Sequence, residues 1–385
     1  MAAGARDRLV RLLFPRRRVA PLAGPPRRIL IIRPDHLGDL LFATPALVHL
    51  RAAYPTAHLT GLVGPWGRPV WERQATLDAI ETLPFPGIVA RPSWPGEPYT
   101  LLWRAARKVR AGHYDLALIL RFDYWWGALL AEQAGIPARW GYSLPAMQPF
   151  LTSAVPYQAG RHEVEQNLAL VAALTGTAGI PPPVVDRGAG LPPLQFPVTD
   201  AEESWAAQYL GDAAERTVAI HPGTNGSLKL WTLGGWAAVT AWLLAHDYRV
   251  VFTGAAAEGP LIDGIRAHLD PAERDAPASL AGQTTLGQVA ALFARSRLVL
   301  GVDSGPLHIA TAVGAPTVRL YGPSDEALWG PWGPAARIRI VRAPGTRPGH
   351  FLDPDRHDLE GGAEMQAITA RAVIAAVEAL LMRDA

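Results

Sequence analysis

The 385-residue sequence contains no cysteine. Disulfides, thiolate nucleophiles and cysteine-bound zinc are therefore excluded. A chain without thiols fits a reducing cytosol. An excess of either charge is also missing, since 36 Lys and Arg stand against 34 Asp and Glu, for a formal net charge of +2. A dedicated nucleic-acid binder usually carries a large basic excess, so that class is disfavoured. No run reaches the roughly 20 mostly apolar residues that a membrane-spanning helix needs. Near the start, Leu9, Val10, Leu12, Leu13 and Phe14 are interrupted by Arg6, Arg8, Arg11 and Arg16-Arg17-Arg18. This does not read as a signal peptide. The pattern His-Glu-x-x-His is absent, and no Gly-x-Gly-x-x-Gly follows the first apolar run, which disfavours a zinc hydrolase and a dehydrogenase. Asp353-Pro354-Asp355 lies in a polar region outside the strand–helix rhythm and reads as a solvated turn. No metal site is expected.

What is present is a long α/β rhythm. Apolar residues make up 49% of the chain, enough for a core in each of two domains. Ile29-Leu30-Ile31-Ile32 is a short continuous apolar run of the kind found in buried parallel strands. A loop follows, then a helical stretch from Asp39 to Ala53. Strands are expected over His58 to Val63 and Asp115 to Leu120, with a helix near Leu101 to Arg110 and another over His162 to Leu174. A proline-rich stretch at 181–197 reads as a linker. Beyond it, strands are expected over Thr217 to Ile220, Arg249 to Thr253, Leu298 to Val302 and Pro316 to Tyr321. Helices alternate with them over Leu233 to Ala245, Pro260 to Leu269, Leu286 to Arg295 and Pro306 to Val313. The expected organisation is thus a basic segment (1–27), a first Rossmann-like domain (28–180), the linker (181–197), a second Rossmann-like domain (198–345), and a polar loop with a C-terminal helix, Met365 to Met382, packing back on the first domain (346–385). Residues 1–27 read equally as a basic amphipathic segment on an anionic membrane face or as a solvated tail. Trp125, Trp126 and Trp140 read as core residues rather than sugar platforms.

In open α/β sheets ligands bind beyond the carboxyl ends of strands, so four strand-end loops carry the candidate chemistry. Asp39 follows the first strand at a helix start. It reads as an N-cap, or as a general base within reach of an attacking hydroxyl. The run His221-Pro222-Gly223-Thr224-Asn225-Gly226-Ser227-Leu228-Lys229 suits an anion, with Lys229 placed to neutralise a departing diphosphate, although it lacks the ending of a Walker loop. Glu258 follows the third-quarter strand, where a carboxylate can accept ribose hydroxyls. Asp303-Ser304-Gly305-Pro306-Leu307-His308 joins a strand-end carboxylate, free backbone N–H groups at a helix start and a histidine one turn on.

These residues resemble glycosyltransferase family 9, the ADP-heptose:lipopolysaccharide heptosyltransferases and their relatives. The resemblance is carried by Leu37-Gly38-Asp39-Leu40-Leu41, Thr44-Pro45-Ala46-Leu47, His162-Glu163-Val164-Glu165-Gln166-Asn167, His221-Pro222-Gly223, Lys229-Leu230-Trp231, Leu280-Ala281-Gly282 and, most specifically, Gly301 through Ala310. It implies a GT-B fold of two Rossmann-like doubly wound domains facing across a cleft. It also implies inverting, metal-independent sugar transfer from a nucleotide-diphosphate donor, often ADP-heptose in this family, to a cell-envelope glycan such as lipopolysaccharide core. No cofactor beyond that donor substrate is implied. Mapped here, Asp39 is the catalytic base, and Thr224, Asn225, Ser227 and Lys229 hold the diphosphate. Glu258 holds the ribose, Leu280 meets the base, and Asp303, Ser304, Gly305 and His308 form the donor-site turn. Thr232 departs from the family's proline after Trp231. The implied setting is the cytoplasm, with peripheral contact at the inner membrane face. A GT-B-like sugar-nucleotide epimerase and a non-catalytic nucleotide-sugar binder are the alternatives, and the second requires Asp39 to be only a helix cap.

Overall fold

The computed structural model describes residues 10–16, 20–88, 93–177, 192–345 and 362–382. The chain divides into two units, Met1–Pro183 and Val184–Ala385. The division falls inside the proline-rich stretch, of which 181–191 lie outside the described residues. The Asp353-Pro354-Asp355 turn also lies outside them.

In the first unit, six parallel strands stand in the order β3-β2-β1-β4-β5-β6. They are β1 (Arg28–Arg33), β2 (His58–Val63), β3 (Ala79–Thr82), β4 (Leu116–Ile119), β5 (Ala138–Tyr142) and β6 (Ser153–Val155). β1 is central, pairing with β2 from Arg28↔His58 to Arg33↔Val63 and with β4 from Ile29↔Leu116 to Ile32↔Ile119. Its unbroken apolar run follows from this, because both faces of a central parallel strand are covered. The longer helices of this unit are α1 (Leu37–Ala53), α2 (Glu97–Ala111), α3 (Trp125–Ala134) and α4 (Glu163–Thr175). α1 carries Pro45 in its interior. Proline cannot donate to the carbonyl four residues back. That carbonyl belongs to Leu41, and the Thr44 hydroxyl donates to it at 2.7 Å.

The second unit repeats the plan. Its strands are β7 (Thr217–His221), β8 (Arg249–Phe252), β9 (Ala278–Ser279), β10 (Leu298–Val302), β11 (Thr317–Tyr321) and β12 (Ile338–Arg342). They stand in the order β12-β11-β10-β7-β8-β9. Read from its own first strand, this is the same 3-2-1-4-5-6 order as the first sheet, and it is the doubly wound Rossmann-like arrangement. Its longer helices are α5 (Asp200–Leu210), α6 (Leu233–Ala245), α7 (Gly259–Ala267), α8 (Leu286–Arg295), α9 (Gly305–Ala312) and α10 (Ala370–Leu381). Thr232, where the family pattern has proline, is the N-cap of α6, and its hydroxyl accepts the Gly235 N–H at 3.1 Å.

Two expectations need correction. The C-terminal helix is not continuous over Met365 to Met382, and its apolar side packs in the core of the second unit. A short helix, Ala363–Gln366, ends before Thr369, which caps α10 through the Ala372 N–H at 3.2 Å. Val373, Val377, Leu380 and Leu381 then form one apolar stripe, buried in the same core as Val218, Leu300 and Val318. The N-terminal segment is also not a solvated tail where it is described. Val10 and Phe14 are buried against α2 and α3. Arg11 pairs with Glu132 at 2.6 Å and lies 4.6 Å over the Phe150 ring. Among the tryptophans, Trp126 is core and its indole donates to the Pro98 carbonyl, whereas Trp140 is only half-buried.

Candidate active site

A strand order that reverses on either side of β1 leaves a crevice beyond the carboxyl ends of β1 and β4. In the first unit that crevice holds charge. Arg33 ends β1 and is buried, with its guanidinium 2.6 Å from Asp35 and 2.9 Å from Glu163 on α4. Arg121, just past β4, also pairs with Asp35, and its Nε holds Asp123 at 2.7 Å. Asp39 stands at the edge of this network, 3.7 Å from Arg33, with 26% of its side chain exposed. Asn167 ties the network to the fold, accepting from Arg33 at 3.2 Å and donating to the Phe42 carbonyl at 3.3 Å.

Asp39 is not the helix cap. α1 starts at Leu37, its N-cap is His36, and Asp39 is the third helical residue. Burial pushes the Asp39 carboxyl above the usual range, and the neighbouring Asp35 charge adds to this, while Arg33, Arg121 and His36 pull it down. Burial likewise pushes Glu163 up to about 7, against the opposing pull of Arg33. Burial disfavours the Arg33 charge, but Asp35, Glu163 and Asp39 outweigh it and hold Arg33 firmly protonated.

In the second unit the reversal lies between β7 and β10, and the loops after those two strands meet. Lys229 Nζ donates to the Asp303 carboxylate at 2.6 Å, and the Thr224 hydroxyl donates to the Asp303 carbonyl at 3.3 Å. His308 Nε2 lies 3.6 Å from Asp303. Its Nδ1 faces Arg319 at 3.2 Å. Arginine can only donate, so Nδ1 accepts and the proton sits on Nε2, toward Asp303. Burial pushes the His308 imidazole down to about 4, and Arg319 adds to this against the pull of Asp303. Burial alone would raise Asp303, but Lys229 and His308 hold it well below the usual carboxylate range. Ser304 caps α9 with backbone alone, and its buried hydroxyl has no partner among the described residues. The first N–H groups of α9, at Ser304 and Gly305, have no intrahelical acceptor.

Asn225 and Ser227 stand exposed on the same loop as Thr224. Glu258 accepts the Ala255 N–H at 2.7 Å and rests on Gly223, where a Cβ would sit 1.7 Å from its carboxylate oxygen. His221 Nε2 is 4.0 Å from the same carboxylate. Leu280 has both backbone groups engaged, its N–H by the Phe252 carbonyl at 2.8 Å and its carbonyl by the Gln283 N–H at 3.0 Å. Only the second lone pair of that carbonyl is left for a ligand.

Thus Thr224, Lys229, Asp303, Ser304, Gly305 and His308 come together, Glu258 packs against the base of the same loop, and Asp39 lies in the first unit. Sequence reasoning passed over Arg33, Asp35, Arg121 and Arg319 as functional residues. The signal was there: each arginine interrupts or ends an apolar strand run, where an unpaired charge would be too costly to bury. Arg319 is fully buried inside β11 and donates to the Leu307 carbonyl and the Thr311 hydroxyl.

Known proteins are similar to this chain along most of its length. The profile of glycosyltransferase family 9 (heptosyltransferase) matches residues 102–348. Lipopolysaccharide heptosyltransferase 2 of Escherichia coli K12 is 29% identical over 323 residues, spanning 82% of this chain and 88% of that protein. Lipopolysaccharide heptosyltransferase 3 of the same strain is 28% identical over 366 residues, spanning 90% and 96%. The solved E. coli ADP-heptose LPS heptosyltransferase II superposes with a TM-score of 0.72 at 25% identity, covering 93% of this chain and 99% of that one. A glycosyl transferase family 9 structure from Veillonella parvula shares the fold at a TM-score of 0.74 and 22% identity, covering 92% and 97%. The two Rossmann-like units are those of a GT-B enzyme, and the chain belongs to glycosyltransferase family 9, the heptosyltransferases.

Proposed function

We propose that this glycosyltransferase moves a heptose from an ADP-linked donor to a lipopolysaccharide-core glycan, with inversion at the anomeric carbon and without a metal. The observation that carries the reading is Asp39: a partly exposed carboxylate in the first turn of α1, not used as a helix cap, whose proton affinity burial has raised. A carboxylate of raised pKa is a stronger base near neutral pH. Asp39 takes the proton of the acceptor hydroxyl as that oxygen bonds to the anomeric carbon. The bond from that carbon to the diphosphate oxygen breaks, and the diphosphate leaves with the electron pair. Lys229 and the free N–H groups of Ser304 and Gly305 meet the developing charge, the role a metal has in other transferases. Asp303 holds Lys229 in place, Thr224, Asn225 and Ser227 line the diphosphate loop, and Glu258 accepts the ribose hydroxyls. Leu280 meets the adenine through its carbonyl. The names of the relatives support the acceptor and donor classes. A lipid-linked acceptor sets the reaction at the cytoplasmic face of the membrane.

Asp39→Asn is expected to lower transfer by about 10²–10⁴-fold, the usual range for a lost general base, while ADP binds with unchanged affinity in calorimetry. Turnover equal to that of the parent protein would sink the assignment. In a thermal-shift series, ADP-heptose is expected to stabilise more than UDP-, GDP- or dTDP-linked sugars. Chelator is expected to leave the rate unchanged.

A further inference from the structure

The first unit carries an exposed patch that neither its core nor its active site uses. Residues 10–13 form one helical turn. Val10 and Phe14 are its buried side. Leu12 and Leu13 project the other way, 82% and 53% exposed. Two large apolar side chains at such exposure, on a turn otherwise anchored by core contacts, call for a cover. The turn is fixed in place, since Phe14 stacks on Tyr99 of α2 with ring centroids 6.0 Å apart. Tyr99, Trp103 and Arg107 follow one another at four-residue steps, so they form one edge of that helix. Trp103 is 57% exposed. The Arg107 guanidinium lies 4.9 Å over its ring. Arg104 stands exposed beside them.

Cations predominate around this patch. Glu97, at the start of α2, keeps its negative charge and accepts the Ser93 N–H and hydroxyl. Lys108 is paired with Glu81 at 2.8 Å, and Arg11 with Glu132. No carboxylate pairs with Arg104 or Arg107 among the described residues. What remains is two leucines, an indole and a pair of guanidinium groups. Indoles and arginines suit the boundary between headgroups and acyl chains, and leucines suit the acyl side. No described helix is long and apolar enough to cross a membrane, so any lipid contact here is interfacial.

We propose that Leu12, Leu13 and Trp103, flanked by Arg104 and Arg107, dock the first unit on an anionic lipid bilayer. The surface stands apart from the assignment of donor, acceptor and catalytic base. The inserted apolar area is small, so binding needs both the leucines and the charge, as with other two-signal attachments. It is therefore salt-sensitive.

The test is flotation of the full-length protein with phosphatidylcholine vesicles, with and without phosphatidylglycerol. The protein is expected to float with the anionic vesicles, less so at high salt, and not with phosphatidylcholine alone. The Leu12→Ser/Leu13→Ser and Arg104→Glu/Arg107→Glu pairs are each expected to lower the bound fraction about tenfold or more. Thermal midpoints are expected to stay put, because the substituted side chains are exposed. Failure to float, equal flotation of both double variants and the parent, or equal binding to neutral vesicles would overturn the proposal. So would a change confined to oligomeric state in light scattering, which would make the patch a contact between copies of the chain. A donor other than ADP-heptose would leave these results untouched.

Discussion

At the scale of single residues, Asp39 and Glu163 compete for one cation. Arg33 lies 2.9 Å from Glu163 and 3.7 Å from Asp39. Glu163 is buried and has the Asp39 charge beside it, and both raise the Glu163 proton affinity. Glu163→Gln removes the competing carboxyl and leaves Arg33 to act on Asp39 more fully. That lowers the Asp39 pKa. The acid limb of the kcat/KM profile is therefore expected to move to lower pH in this variant. A weaker base also transfers protons less readily, so the plateau is expected to drop several-fold. A purely structural role would lower the plateau without moving the limb, and an unmoved limb would remove Glu163 from control of the base.

At the scale of elements, the Asp303 turn depends on how closely two strands approach. β10 pairs with β7 through Gly301↔His221. A Cβ at Gly301 would sit 2.6 Å from the His221 carbonyl oxygen and 2.4 Å from the Leu307 side chain. The backbone atom cannot swing away, so Gly301→Ala has to open the pairing from which the loops carrying Lys229 and Asp303 spring. A loss of about 2 kcal/mol in denaturant unfolding is expected, in the range of overpacked cores, and a loss near zero would show that the strands slide freely. Gly223 differs, because the atom it would meet is the far end of Glu258, which can move. These same junctions explain what was readable beforehand. β2, α6, α8 and β10 were legible to the residue because continuous apolar runs, Thr caps and glycine stops coincide there. β12, with its Ile-Arg-Ile-Val-Arg alternation, and the two-residue β9 carry too weak an apolar signal to be seen. Of the site, the Asp303 turn and Lys229 were legible from strand-end polar residues. The Arg33 network was not, because pairing across 130 positions, as between Arg33 and Glu163, leaves no local pattern.

At the scale of the whole molecule, the two units respond to acid with opposite sign. In the second unit, burial pushes His221 and His308 down to about 4 from an ordinary 6.5. The unfolded chain takes up protons there that the folded unit refuses. That stability is complete above about 6.5 and is lost as pH falls toward 4, at up to about 1.4 kcal/mol per pH unit for each imidazole. In the first unit, Glu163 is pushed up to about 7 from an ordinary 4.5. There the folded unit keeps a proton that the unfolded chain gives up. The contribution is complete below 4.5 and is lost as pH rises through 7, and the raised Asp39 carboxyl acts in the same direction. Acidifying from about pH 7 to about pH 5 is therefore expected to loosen the second unit and tighten the first. Hydrogen exchange, corrected for the intrinsic pH dependence of amide rates, resolves the two. Amides of β7 and β10 are expected to lose protection over this interval, while those of β1 and β4 keep or gain it. His308→Gln, which cannot take up a proton, is expected to flatten the second-unit response by roughly half, since two imidazoles drive it. If both sheets lose protection together and in equal measure, the buried histidines and Glu163 are not what sets the acid response, and a general charge repulsion is.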